Sequence, residues 1–165
     1  MNIKFITKKE FDKLKAEDIY WKDRWGYLEE VINILSKESF NSVLELGPYK
    51  ETLVKGSDVM DINPFYQNIK YKWNATKTPW PIEDKKYDLF IALQVWEHLK
   101  DKQKEAFGEV IRISKMAVLS FPLNWNCPGN CHHGITEEVI ADWTLNIEPV
   151  KKIQVKNRII YFFKF

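Results

Sequence analysis

The sequence predicts an α/β fold with three layers, built around a mostly parallel sheet of seven strands that closes with an antiparallel hairpin. Three observations carry this expectation. Short apolar runs alternate with amphipathic segments along the chain, the pattern of strands connected by covering helices. Leu89-Phe90-Ile91-Ala92-Leu93 is apolar without interruption, as a strand covered on both faces must be. The last two strand-like runs, residues 150–155 and 159–165, are separated only by Lys156-Asn157-Arg158, a connection short enough to force antiparallel pairing.

Taken in order, the chain opens with Thr7 and, three residues on, Glu10, a capping-box pair that starts a short helix carrying Phe11 and Leu14. A longer helix follows, because Trp21, Trp25, Leu28, Ile32 and Leu35 step by four, three, four and three and so share one face. Residues 42–46 and 57–60 read as the first two strands. Their connection is near the lower limit for a parallel crossover, with room for one or two helical turns over residues 50–55. The alternation in Ile69-Lys70-Tyr71-Lys72-Trp73 predicts a third, more exposed strand. Pro79 and Pro81 keep residues 76–86 irregular, since each lacks an amide donor and restricts the residue before it. After the central fourth strand, a helix over residues 102–114 should bury Phe107, Val110 and Ile111. Residues 117–121 form the fifth strand, and Thr136 caps a last helix with Val139, Ile140 and Trp143 on its inner side.

At 165 residues and 45% hydrophobic, the chain suffices for one sizeable core, so a single domain over residues 1–165 is expected, with 1–40 as a helical cover and 41–165 as the sheet core. Basic residues number 25 against 23 acidic ones, a balance of +2 that gives no pull toward nucleic acid or an anionic membrane. The longest apolar runs fall well short of the roughly 20 residues that span a bilayer. Two cysteines, Cys127 and Cys131, cannot frame a chain of this size with disulfides and fit a reducing, cytoplasmic compartment.

The chemistry concentrates in residues 41–64. The first strand carries Glu45 and is closed by Gly47; the second is closed by Asp61, followed by the breaker pair Asn63-Pro64. In an open parallel sheet the carboxyl ends of the strands border the ligand crevice, which sets both acids beside one bound molecule. A carboxylate accepts hydrogen bonds only, and the vicinal diol of a ribose offers two, so Asp61 suits a nucleoside. Two plainer roles stay open: Asp61 as an ordinary strand-ending acid or cap, and Glu45 as an acceptor for backbone amides of the Gly47 loop.

In this order the motifs resemble class I S-adenosyl-L-methionine (SAM)-dependent methyltransferases, the small ones described as type 11 or type 12. The similarity runs over residues 43–165. Val43-Leu44-Glu45-Leu46-Gly47 is similar to that family's first motif and Val59-Met60-Asp61-Ile62 to its second. Asn74-Ala75 is similar to the loop after the third strand, and Gln94-Val95-Trp96-Glu97-His98-Leu99 to the Leu-Glu-His signature, with Trp96 in place of the leucine. The resemblance implies a Rossmann-like transferase fold with SAM as cofactor. It places Glu45, Gly47 and Gln94 near the methionyl part, Asp61 on the ribose hydroxyls, and Ile62, Asn74 and Ala75 around the adenine. It also implies that His132 or His133, in the loop after the fifth strand, takes a proton from the acceptor, although both also read as solvated loop residues. The lack of an insertion large enough for a protein- or nucleic-acid-reading domain, with the balanced charge, points to a small molecule or glycan precursor as acceptor, and to no nucleic acid and no membrane as partner. The chain departs from the family in one place: Pro48, Tyr49, Lys50 and Glu51 stand where further glycines are usual. That departure keeps open a second reading, a non-catalytic binding or scaffold protein that retains the sheet.

Cys127, Cys131, His132 and His133 offer metal-binding side chains, yet adjacent histidines turn with difficulty to one ion, and no metal is expected. Trp80 and Trp125 lie in loops at the ligand end of the sheet, where either can form an aromatic wall.

Overall fold

In the computed structural model, which describes residues 3–63 and 68–165, strands β1 (Val43–Leu46), β2 (Asp58–Asp61), β3 (Tyr71–Lys72), β4 (Tyr87–Leu93), β5 (Ser114–Pro122), β6 (Lys151–Val155) and β7 (Arg158–Lys164) form one sheet. Their order is β3-β2-β1-β4-β5-β7-β6. The first five pair in parallel; β7 runs antiparallel to both β5 and β6, as the short terminal connection requires. Pro64, half of the breaker pair, lies outside the described residues.

Period-two alternation sorts the strand side chains into two apolar layers. Leu44, Phe90, Leu119 and Phe163 pack with Phe107 and Val110 of α3 (Gln103–Ile113) and Ile140 of α4 (Glu137–Trp143). Val43, Ile91, Val118 and Phe162 pack on the other face with Phe11 of α1 (Lys8–Glu17) and Leu28, Val31 and Leu35 of α2 (Trp25–Leu35). The capping box at Thr7 is formed in full, and the Thr136 side chain accepts the Val139 amide. No helix among the described residues is long and apolar enough to cross a membrane.

Four expectations need correction. The stripe beginning at Trp21 is broken: Trp21 ends a 3₁₀ turn (Ile19–Trp21), Asp23 takes a positive φ of 58°, and α2 starts only at Trp25, rotating its buried face to Tyr27, Leu28, Val31, Ile34 and Leu35. No helix forms over residues 50–55. The segment instead turns and lies against the N-terminal stretch, with a Phe5–Val54 bridge and the Ile6 amide donating to the Leu53 carbonyl at 2.9 Å. The third strand shrinks to Tyr71–Lys72, because the Trp73 ring turns its Nε1–H to the Lys77 carbonyl at 2.7 Å and begins a loop. Ile111 is only half-buried; Ala106 and Ile113 complete the inner face of α3.

The irregular stretch before β4 is fixed to α3 rather than free. Glu109 accepts the Trp80 amide at 2.6 Å, and Arg112 donates to the carbonyls of Ile82 (2.6 Å) and Trp80 (3.1 Å). This buries Trp80 against Phe90, with ring centroids 5.8 Å apart, so Trp80 belongs to the core and is no ligand wall. Phe107 is the hub of this layer, in edge contact with Trp96, Phe163 and Phe165 at 6.5, 5.1 and 5.9 Å. Phe107→Ala should cost about 3–5 kcal/mol of stability, read as a lower midpoint in urea unfolding.

Candidate functional site

At the carboxyl end of the parallel strands lies a cleft of about 440 Å³, within the size range of small-molecule sites. It collects six of the residues singled out in the sequence: Gly47, Asp61, Ile62, Asn74, Ala75 and Gln94. The strand ends that carry two of them are adjacent, since Leu46 pairs with Met60 and the Gly47 amide donates to the Met60 carbonyl at 3.0 Å.

Each residue presents a definite chemical face. Gly47 has φ +61°, and a Cβ there would meet the Val95 side chain at 3.2 Å, so glycine is required both by conformation and by the approach of the next loop. Asp61, 8% exposed, accepts the Asn63 amide on Oδ1 at 2.9 Å. No donor among the described residues reaches its second oxygen. Ile62 leaves 52% of its surface open along the cleft, an apolar face without a protein cover. Asn74 closes a turn by accepting the Thr76 amide and hydroxyl at 3.0 and 2.8 Å. The Ala75 carbonyl is taken by the Trp80 indole at 3.1 Å. Gln94, at φ +59°, is tied to Ser120 by its amide and its side chain, both 3.1 Å from the hydroxyl.

The seventh residue, Glu45, lies elsewhere. Lying between Leu44 and Leu46 on the strand, it points to the opposite sheet face and borders a small cavity of about 40 Å³ that shares Tyr20, Leu46 and Gly47 with the cleft. It is 3% exposed, and its oxygens accept the amides of Leu53 and Val54, each at 2.8 Å, and the Ser57 hydroxyl at 2.9 Å. Glu45 therefore holds the β1–β2 connection.

Tyr49, the largest departure from a glycine turn, does not fill the cleft. Its ring leans on Tyr20 at 4.2 Å and its hydroxyl donates to Asp18 at 2.9 Å, so it forms a side wall. Asp18 also receives Lys50 at 2.7 Å, and that contact, with the Tyr20 amide and the Tyr49 hydroxyl, holds its carboxyl down at about 2. Tyr20 is a cleft residue the sequence did not flag. Its only local signal is Asp18, which accepts the Tyr20 amide at 2.9 Å and so turns the chain back toward the cleft.

His98 is the histidine that lines the cleft. His132 stands behind it, rings 5.6 Å apart, while His133 turns away and accepts the Cys127 amide on Nδ1 at 3.1 Å. Trp125 stacks on His132 at 5.1 Å and donates to the Asn157 carbonyl at 2.7 Å, so it backs the histidine and does not wall the cleft.

No protein-family model matches the chain, and no curated protein matches it in sequence. Solved structures do match in shape. A SAM-dependent methyltransferase from Aquifex aeolicus superposes with a TM-score of 0.59 at 13% identity, over 95% of this chain and 97% of that one. The N-methyltransferase NodS from Bradyrhizobium japonicum gives 0.61 at 15% identity over 96% and 98%, and an rRNA methylase from Escherichia coli 0.57 at 16% over 96% and 77%. The chain shares their fold. At these identities the likeness is one of architecture, and it extends to an N-methyltransferase and an rRNA methylase alike.

Burial pushes the Glu45 carboxyl up from its ordinary 4.5 to about 7, against the lowering effect of its three donors. A protonated Oε1 still has a partner, because the Ser57 hydroxyl can accept that proton while giving its own to the Val54 carbonyl at 2.8 Å. The folded state thus holds a proton that the unfolded chain releases near 4.5. Stability from this group is complete below pH 4.5 and declines as pH rises to about 7, by roughly 3 kcal/mol at most. Urea unfolding across that window should show Glu45→Gln gaining stability relative to the native chain as pH rises from 4.5 to about 7.

Proposed function

We propose that this chain is a SAM-dependent methyltransferase acting on a small molecule or glycan precursor. One observation carries the reading: an acid, Asp61, with one oxygen that no donor among the described residues reaches, ends β2 directly beside the glycine that closes β1, in one open cleft. The residues fit the cofactor. The second carboxylate oxygen of Asp61 suits a ribose diol, and the exposed face of Ile62 suits a planar apolar ring. The Ala75 amide, which no acceptor among the described residues takes, suits the polar edge of an adenine. Gly47 lets the chain pass close to the methionyl end, where Gln94 is held by Ser120.

SAM supplies an electrophilic methyl carbon. The protein's part is then chiefly to hold a nucleophile in line with it and to exclude water, an entropic contribution that needs no strong base. Where the acceptor must lose a proton, the nearest imidazole to the cleft is His98, with His132 behind it; His133 is engaged with the Cys127 amide. The balanced charge of +2 favours a small acceptor over nucleic acid, unlike the rRNA methylase of similar fold. We take residues 1–165 as one domain, and the two unpaired thiols, Cys127 and Cys131, as suited to the cytoplasm.

The alternative is a scaffold protein whose cofactor turn, with Pro48 and Tyr49, no longer binds. Calorimetric titration with S-adenosylhomocysteine separates the two. The native chain should bind, and Asp61→Ala should weaken binding about a hundredfold, the loss of two charge-assisted hydrogen bonds worth together about 3 kcal/mol. Absence of binding by the native chain would favour the scaffold.

A further inference from the structure

His98 and the side chains behind it form a second centre at the rim of the cleft, one that would engage both imidazoles considered above as proton acceptors. Cys131 Sγ lies 3.4 Å from His98 Nδ1 and 3.7 Å from His132 Nδ1, and the three candidate ligand atoms lie within 4.8 Å of one another. A tetrahedral zinc ion, with Zn–N near 2.0–2.1 Å and Zn–S near 2.3 Å, separates its sulfur and nitrogen ligands by about 3.6 Å. The two observed separations bracket that value.

A second, independent feature points the same way. Glu97 is 5% exposed, and neither of its carboxylate oxygens has a hydrogen-bond partner among the described residues. Oε1 is 3.3 Å from His132 Nε2, within ion-pair distance but out of hydrogen-bond alignment. A buried carboxylate without donors is costly unless something charged completes it. Metal-bound histidines commonly present their far N–H to a carboxylate, which fixes the ring and its tautomer. His132 has that arrangement: Nε2 toward Glu97, Nδ1 toward the sulfur.

We propose that His98, Cys131 and His132 bind a zinc-like divalent ion, with Glu97 orienting His132 and water in the fourth position. Binding forms two metal–nitrogen bonds and one metal–sulfur bond, the hydrated ion sheds all but one of its water ligands, and the Cys131 thiol releases its proton to solvent. Softness of the thiolate and imidazole donors selects zinc or cobalt over magnesium or calcium. The expectation of no metal came from pairing His132 with His133; the partner the fold supplies is His98, from a different loop. The competing arrangement has no metal, with the His132 ring held between Glu97 and the Asn130 side-chain oxygen, which contacts its Nδ1.

Cobalt titration of the full, reduced chain distinguishes the two. One equivalent of Co²⁺ should produce an intense sulfur-to-cobalt charge-transfer absorption with the visible bands of a four-coordinate ion, and Zn²⁺ should abolish both. Cys131→Ser should remove the sulfur band, whereas Cys127→Ser should keep it. Glu97→Gln should weaken Zn²⁺ affinity 10–100-fold. A six-coordinate cobalt spectrum without a sulfur band in the native chain would overturn the proposal, as would a band that survives Cys131→Ser. Because the native spectrum decides by itself, a variant that fails to fold leaves the test intact. No cofactor is present in the titration, so its result is independent of SAM binding.

Discussion

The carboxylate of Glu45 is the tie on which the cleft depends. A parallel crossover is ordinarily spanned by a helix, whose own backbone bonds satisfy its amides. Here residues 47–57 form none, and the connection folds down onto the sheet with Leu53 and Val54 buried. Amides brought into the interior need acceptors, and Glu45 provides them for both residues, with Ser57 completing the set. The N-terminal stretch supplies the rest, through the Phe5–Val54 bridge and the cover of α1 and α2. With the connection drawn inward, Gly47 stays beside Met60 and the end of β2 remains open.

How much of this was legible in the sequence varied with how local the cause was. The strand cores were readable because apolar runs such as Leu89-Phe90-Ile91 leave little choice of periodicity, and the hairpin because three residues permit only a reversal. Thr7 and Thr136 marked helix starts through bonds within one turn. Long-range causes were invisible. The fate of residues 50–55 was decided by Glu45 and Ile6, and that of Trp80 by Glu109 and Arg112 on α3. The cleft residues at strand ends were found because topology alone brings strand ends together. Glu45 was grouped with them because it too lies near a strand end and in the motif that resembles the family's first, but side-chain alternation sends it to the other face of the sheet.

The cleft and the cysteine–histidine cluster meet at His98, which lines the one and faces Cys131 in the other. Both come from loops at the same end of the sheet, where β4 and β5 stop. The loop that carries Cys131 is closed by its own backbone: the Asn124 amide donates to Ile135 and the Gly134 amide to Trp125, at 2.8 and 3.1 Å. Its shape therefore does not wait on a bound molecule, and the histidine it carries is pre-positioned by the Trp125 stack.

Between α3 and β5 there is no linker: Ile113 ends one and Ser114 begins the other. The Ser114 hydroxyl donates to Val110, and the Lys85 ammonium to the carbonyls of Ile111 and Ser114, so the splice is clamped from both sides. Residues inserted at that seam would disengage the helix from its strand. Added length would be borne more easily by the exposed loop of residues 124–134.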